Sequence, residues 1–195
     1  MEATTSSSCG VIPEDKLKIW KIFRNMGSNV KEILKTAKLA HIVSDKEGFV
    51  VTMTDETYSF LQDGDSGCKI SKIPELSGIR VKEFFIGEIN FALIEDGRLF
   101  SWTSELPRHD AYPGSEQDIL NQLGRYVSYR VVDQISFSCR PAEVTGSLTG
   151  VKVRQVALPG WKATFTVALS VGGYVHQWGS LRGRRRPMET LGNQG

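Results

Sequence analysis

Three short stretches of this chain repeat one pattern of apolar and polar positions. Val50 to Phe60, Ala92 to Trp102 and Ala168 to Trp178 align without gaps. Each begins with an apolar run and breaks at a polar or glycine-rich point, Thr54-Asp55-Glu56, Glu95-Asp96-Gly97 or Val171-Gly172-Gly173. Each then returns in alternation and closes on an aromatic residue, at 60, 102 and 178. Period-two alternation is the signature of a strand with two unlike faces. Asp-Gly and Gly-Gly supply the positive φ that two-residue hairpin turns demand. Each stretch is therefore predicted to be a β-hairpin. Thr57, Leu99 and Val175 fall on one face. Tyr58, Phe100 and His176 fall on the other, with Phe60, Trp102 and Trp178 after them.

A second shared piece lies upstream of the last two hairpins. Leu76-Ser77-Gly78-Ile79-Arg80-Val81 matches Leu148-Thr149-Gly150-Val151-Lys152-Val153, and Phe84 and Val156 continue both as an inner strand. The repeating unit is thus a turn, two strands, a hairpin turn and an aromatic strand. The interval before the third hairpin is longer, which predicts an insertion over 103–138. Thr103 to Gly114 reads as a surface loop, Ser115 as the N-cap of a short helix to Leu123, and Tyr126 to Val132 as an extra strand. Over 13–36 the pattern changes. Pro13-Glu14-Asp15 starts a helix, Leu17, Trp20 and Phe23 recur at helical spacing, and Gly27 is expected to stop it. The same apolar residues also fit an irregular strand. Residues 1–12 read as a disordered lead and 180–195 as a basic, disordered tail, leaving 37–179 as the repeat region.

Composition narrows the classes without choosing among them. Twenty-four basic and 22 acidic residues give a net charge of +2, too balanced to argue for a membrane or nucleic acid. Cys9, Cys68 and Cys139 are odd in number and widely spaced, which disfavours a zinc site or disulfide framework and suits reduced thiols. The serine-rich start lacks the basic and apolar regions of a secretion signal, and no apolar run reaches membrane-span length. A cytoplasmic or nuclear location is expected.

The order of landmarks resembles the repeats of the regulator-of-chromosome-condensation family. Those repeats run from an acidic-Gly turn through an apolar strand to Trp-Gly. A Gly-Gln-Leu-Gly-like loop, a proline and a Leu-x-Gly turn follow. Here the succession is Asp96-Gly97 to Trp102, then Gln122-Leu123-Gly124, Pro141, Leu148-Thr149-Gly150, and Gly173 to Trp178-Gly179. Residues 13 to 60 are similar to the segment before the propeller in members with a downstream BTB domain. The copies are degenerate. Thr103 follows Trp102 where the family has glycine, Phe60-Leu61 replaces Trp-Gly, and Asn90 and Thr164 lie near the place of an inner-strand histidine. Three units stand against the family's closed ring of about seven blades. The resemblance implies an all-β partial propeller of three degenerate blades with a short helical N-terminal segment. In it, Asp96, Gly97, Trp102, Gly124, Pro141, Gly150, Gly173, Trp178 and Gly179 serve structure.

Catalytic chemistry finds little support. His41, His109 and His176 have no cysteine, histidine or carboxylate at ligand spacing, so no metal is expected. No serine or cysteine sits in a nucleophile elbow, and the glycine-rich stretches lack Gly-Lys-Ser/Thr, so no cofactor is expected either. Asp63-Gly64-Asp65-Ser66-Gly67 lacks the closing glutamate of a calcium loop and reads as a turn. Trp102 and Trp178 recur at blade ends and read as packing. Trp161 stands in an irregular Pro-Gly loop found in one copy, and with Lys162, Arg108 and Tyr112 it is a candidate partner-binding residue. The cluster Arg182 to Pro187 fits a solvated tail better than a nuclear signal or nucleic-acid contact.

The expectation is a non-enzymatic protein-interaction module. By resemblance it recruits or scaffolds in a ubiquitin-ligase or trafficking setting, and self-association that completes a propeller is among its expected partner modes. The alternatives are guanine nucleotide exchange on a Ran-like small GTPase and a truncated fragment without function. Exchange would need an intact ring and an acidic insertion, whereas Glu105 to Asp118 is mixed in charge.

Overall fold

The computed structural model describes residues 3–6, 10–23, 27–62, 68–87, 89–103, 123–124, 140–158, 164–181 and 184–191. They form an all-β partial propeller: three antiparallel sheets, one for each repeat, with two short helices between the first and second strands of the first sheet. By compactness the chain divides into Met1–Phe84 and Phe85–Gly195.

The first sheet has the order β1-β2-β3-β4-β5, from Ala3–Ser6, Ala37–Ile42, Glu47–Thr52, Thr57–Gln62 and Cys68–Lys72. The second is β6-β7-β8-β9, from Val81–Phe85, Asn90–Ile94, Leu99–Trp102 and Ala142–Glu143. The third is β10-β11-β12-β13, from Val153–Ala157, Thr164–Ser170, Val175–Leu181 and Arg184–Leu191. The predicted hairpins are β3-β4, β7-β8 and β11-β12, and the predicted inner strands are β6 and β10. Pro74–Leu76 and Gly146–Leu148 each make one 3₁₀ turn ahead of β6 and β10. Gly78 and Gly150 follow at φ 78 and 73, which explains why both copies of the Leu-x-Gly motif keep glycine.

Helix α1 spans Glu14–Lys18 and opens after Pro13 with Glu14 and Asp15 in its first turn, as expected. It is followed by a 3₁₀ turn, Lys21–Phe23, and by α2, Ser28–Leu34. Gly27 does not stop one long helix; in extended conformation (φ −61, ψ 165) it starts the second. Ile12, Leu17, Ile22, Phe23, Val30 and Leu34 bury together on Ala40, Ile42, Val50 and Phe60 of the first sheet. Phe23 meets Phe60 edge-on with ring centroids 5.5 Å apart. The helices thus cover one face of that sheet. On its other face, Phe84 stacks on Phe49 at 5.3 Å beside His41.

Both expected disordered ends contain strand. β1 pairs with β2 in the register Ala3↔Ile42 to Ser6↔Leu39, and the Ile12 N–H donates to the Ala37 carbonyl at 2.7 Å. β13 pairs with β12, from Val175↔Leu191 to Leu181↔Arg184. The polar and basic compositions hid both strands, because backbone pairing needs no apolar side chain. The helix and strand expected within the insertion lie outside the described residues, apart from Leu123 and Gly124. Those two pack at the second sheet: the Leu123 carbonyl accepts from Ser101 Oγ at 2.7 Å, and the Gly124 carbonyl from the Thr145 N–H at 3.0 Å.

Candidate functional site

The features most faithfully repeated are the hairpin tips. In each, a three-residue loop is closed by two bonds. Thr52, Ile94 and Ser170 accept from the N–H of Asp55, Gly97 and Gly173 at 3.0, 2.9 and 3.1 Å. Their own N–H groups donate to the carbonyls of Glu56, Arg98 and Tyr174, each at 2.9 Å. The third loop residue is left-handed in every copy: Asp55 at φ 62, Gly97 at 92 and Gly173 at 83. This is the geometry of a turn followed by a bulge, not of the two-residue loop the dipeptides suggested. Aspartate tolerates that conformation better than most residues. Asp55 is also held in an ion pair with Lys38, both side chains being mostly buried.

The tips tie repeats together. The Asp55 carbonyl accepts from Gly78 N–H and the Gly97 carbonyl from Val153 N–H, each at 2.8 Å. Gly97 lies so close to the chain at Lys152 that a Cβ there would sit 2.9 Å from Lys152 Cβ and 3.0 Å from its Cα. Val171 N–H donates to the Lys152 carbonyl at 2.8 Å.

With the backbone fixed, the tips present defined side chains. Val171 is 64% exposed and Tyr174 48%, with the Tyr174 ring near Gly172. Met53 holds the place of Val171 in the first copy and is exposed too. In the second copy the tip is charged. Asp96 accepts from the Arg98 N–H at 3.0 Å and from Arg98 Nε at 2.9 Å, while the guanidinium lies 5.7 Å from the Phe100 ring centroid. The backbone hydrogen bond from Arg98, more than its charge, holds the Asp96 carboxyl below the usual range. Beside the first tip, Lys72 Nζ donates to Glu56 Oε1 at 2.6 Å and Tyr58 Oη to Oε2 at 2.7 Å. These bonds lower the Glu56 carboxyl and raise the Tyr58 phenol.

Trp102 and Trp178 are buried, and Trp178 meets Phe91 at 5.9 Å in a T-shaped contact. Pro141 is buried, and Gly124 and Gly179 are left-handed at φ 67 and 98. Asn90 is buried and its Oδ1 accepts from Gly87 N–H at 3.3 Å. Of the expected contact residues, Trp161, Lys162, Arg108 and Tyr112 lie outside the described residues. Sequence reasoning missed Val171 and Tyr174. The signal was there: two large apolar residues flank Gly172-Gly173, where a turn is solvent-facing.

His41 and His176 are buried. Burial pushes the His41 imidazole down to about 4 and lowers that of His176, whose Nδ1 is 3.4 Å from Ser147 Oγ. No group of three metal-ligating side chains occurs among the described residues, and no helix among them is long and apolar enough to cross a membrane.

Sheets joined through their hairpin tips and Leu-x-Gly turns define a repeat array of the propeller-blade class. No family model matches the chain, and no curated protein matches it. Solved structures do. The human protein WBSCR16 is 23% identical, with a TM-score of 0.45 over 75% of this chain and 35% of that one. Yeast RCC1 (Prp20), crystallised bound to Kap60, is 19% identical, with a TM-score of 0.43 over 69% of this chain and 28% of that one. Prp20p from Saccharomyces cerevisiae, described with its binding properties to Gsp1p and histones, is 17% identical, with a TM-score of 0.47 over 75% and 34%. The chain spans about a third of the length of these structures.

Proposed function

We propose that this protein is an interaction module that binds another protein through side chains carried on its repeated hairpin tips and on the loop containing Trp161. The observation that carries this reading is the identical hydrogen bonding of the three tips around exposed side chains that change from one copy to the next, charged in the second and apolar at Met53 and Val171 in the first and third. A scaffold repeated in backbone and varied at its exposed points is how repeat proteins separate stability from recognition. Met53, Val171 and Tyr174 offer apolar contacts and Arg98 a charged one. Trp161, Lys162, Arg108 and Tyr112 are further candidate contact residues on the strength of the sequence alone. The resemblance in sequence supports trying a ubiquitin-ligase component or a small GTPase first as the partner.

The reading is tested with purified partners. Isothermal titration calorimetry against a panel of small GTPases and ligase subunits should give saturable binding that Tyr174→Ala weakens. Release of a fluorescent guanine nucleotide from the same GTPases should be unchanged by the protein. Catalytic acceleration of release would replace the scaffold reading with nucleotide exchange.

A further inference from the structure

The loop joining β2 to β3 lies at the end of those strands opposite the first hairpin tip. It is off both faces of the first sheet, the one under the helices and the one that meets Phe84. Ser44, Asp45 and Lys46 are exposed in it. The loop is closed by the Val43 and Ser44 N–H groups, which donate to the Glu47 carbonyl at 3.0 and 3.1 Å. Ser44 Oγ in turn accepts from the N–H of Lys46 and of Glu47, each at 3.1 Å. Carboxylates thus stand one and three places after an exposed hydroxyl that already holds two backbone donors. Lys21, from the 3₁₀ turn after α1, reaches the same loop, its Nζ 3.8 Å from Asp45 Oδ2. Thr54 is a second exposed hydroxyl followed by two carboxylates, but those are engaged, Asp55 by Lys38 and Glu56 by Lys72 and Tyr58.

We propose that Ser44 is a phosphorylation site, read by a serine/threonine kinase whose substrate groove is basic. Such enzymes select by charge pattern, and Asp45 and Glu47 place negative charge beside the hydroxyl. Ser44 Oγ attacks the γ-phosphorus of Mg-ATP. The bond from that phosphorus to the β–γ bridging oxygen breaks, ADP leaves with the electron pair, and the hydroxyl proton passes to the kinase's carboxylate base. The hydrogen bonds that close the loop are at the surface, so it opens into the groove at small cost. After transfer the phosphate seats in the closed loop. Its oxygens accept the Lys46 and Glu47 N–H bonds that Ser44 Oγ holds now, and the ammonium groups of Lys46 and Lys21 offset its charge. Lys21 belongs to the segment that covers the sheet, so the modification ties that segment to the β2–β3 loop. None of this depends on which partner the hairpin tips bind.

The test is incubation of the full chain with Mg-ATP and an acidophilic serine/threonine kinase, read by mass spectrometry of the fragment containing Ser44. That fragment is the one to follow, because Ser115-Glu116-Gln117-Asp118 repeats the spacing outside the described residues. Phosphate on Ser44 is expected. Ser44→Ala should abolish it, and Ser44→Thr, which keeps the hydroxyl, should retain it. Asp45→Asn and Glu47→Gln should each lower kcat/KM at this position about tenfold, and Thr54→Ala should leave it unchanged. Circular dichroism guards against misfolded variants. In the phosphorylated chain, amide exchange at Lys46 and Glu47 should slow about tenfold, and less in Lys21→Gln. No phosphate on Ser44, or phosphate there indifferent to Asp45→Asn and Glu47→Gln, overturns the proposal. Phosphorylation without slower exchange at Lys46 and Glu47 overturns the seating of the phosphate in the loop.

Discussion

Replacing Gly97 by alanine separates two costs that glycine avoids. The first is conformational: at φ 92 an alanine is in the left-handed region, which costs about 1 kcal/mol relative to glycine. The second is steric. The added Cβ would meet Lys152 Cβ at 2.9 Å and Lys152 Cα at 3.0 Å. These atoms belong to or adjoin the backbone and cannot swing away, so the chain must shift, at a further cost of about 1–3 kcal/mol. Gly97→Ala should therefore destabilise by about 2–4 kcal/mol. Gly150→Ala is the control. It has a similar positive φ of 73 and open space where the Cβ would go, so only the conformational part of about 1 kcal/mol remains. Lys152→Ala should not rescue Gly97→Ala, because the clashing Cα and Cβ are both retained. Urea unfolding followed by tryptophan fluorescence measures all four proteins, with the midpoints compared at constant m-value. Equal losses for Gly97→Ala and Gly150→Ala, or rescue by Lys152→Ala, would refute the close approach between the second tip and the third repeat.

Trp178→Ala, which empties a site 1% exposed beside Phe91, should cost about 3–5 kcal/mol in the same assay, and Trp178→Phe clearly less. Trp161→Ala should leave the melting temperature unchanged while weakening partner binding by calorimetry; a large loss of stability would make Trp161 a packing residue instead. Asp55→Ala removes both the ion pair with Lys38 and the side chain's tolerance for φ 62, and should cost about 2 kcal/mol by urea titration, more than Lys38→Ala. His41 titrates near 4 in the folded chain and near 6.5 when unfolded, so the unfolded state binds the extra proton first as pH falls. Its contribution to stability is whole above about pH 6.5 and is lost towards pH 4, by about 3 kcal/mol. His41→Leu should flatten that part of the stability–pH curve, and an unchanged curve would mean that His41 is not buried neutral.

The hairpins were legible because three independent signals coincide in them: period-two alternation, a turn residue at one place and an aromatic end. The alignment even marks Asp55 as the counterpart of Gly97 and Gly173, hence as the one non-glycine residue asked to turn left-handed. The loop length was not legible, since Asp-Gly suits two-residue and bulged three-residue turns alike. β1 and β13 were hidden for a different reason. Their pairing is read in the backbone of β2 and β12, and nothing in Ala3–Ser6 or in three consecutive arginines signals a strand. Gly27 misled because glycine marks helix starts as well as ends, and the restart at Ser28 depends on Val30 and Leu34 reaching the core under the first sheet. That Phe165, Val167, Leu169 and Val175 of the third sheet are only half-buried was invisible as well. Phe165, Val167, Leu169 and Val175 read like the buried Phe91, Leu93 and Leu99, and only tertiary packing distinguishes them.

The central claim is that the three hairpins are equivalent blades of one folded repeat array, and residue-resolved amide hydrogen exchange on the full chain tests it most directly. The N–H groups of Thr52, Ile94 and Ser170, which close the three tips, should be protected alike, with those of Gly78 and Val153 that join one repeat to the next. Protection at Thr52 and Ile94 with free exchange at Ser170 and Val153 would show that the third repeat does not hold its place, and would contradict the account.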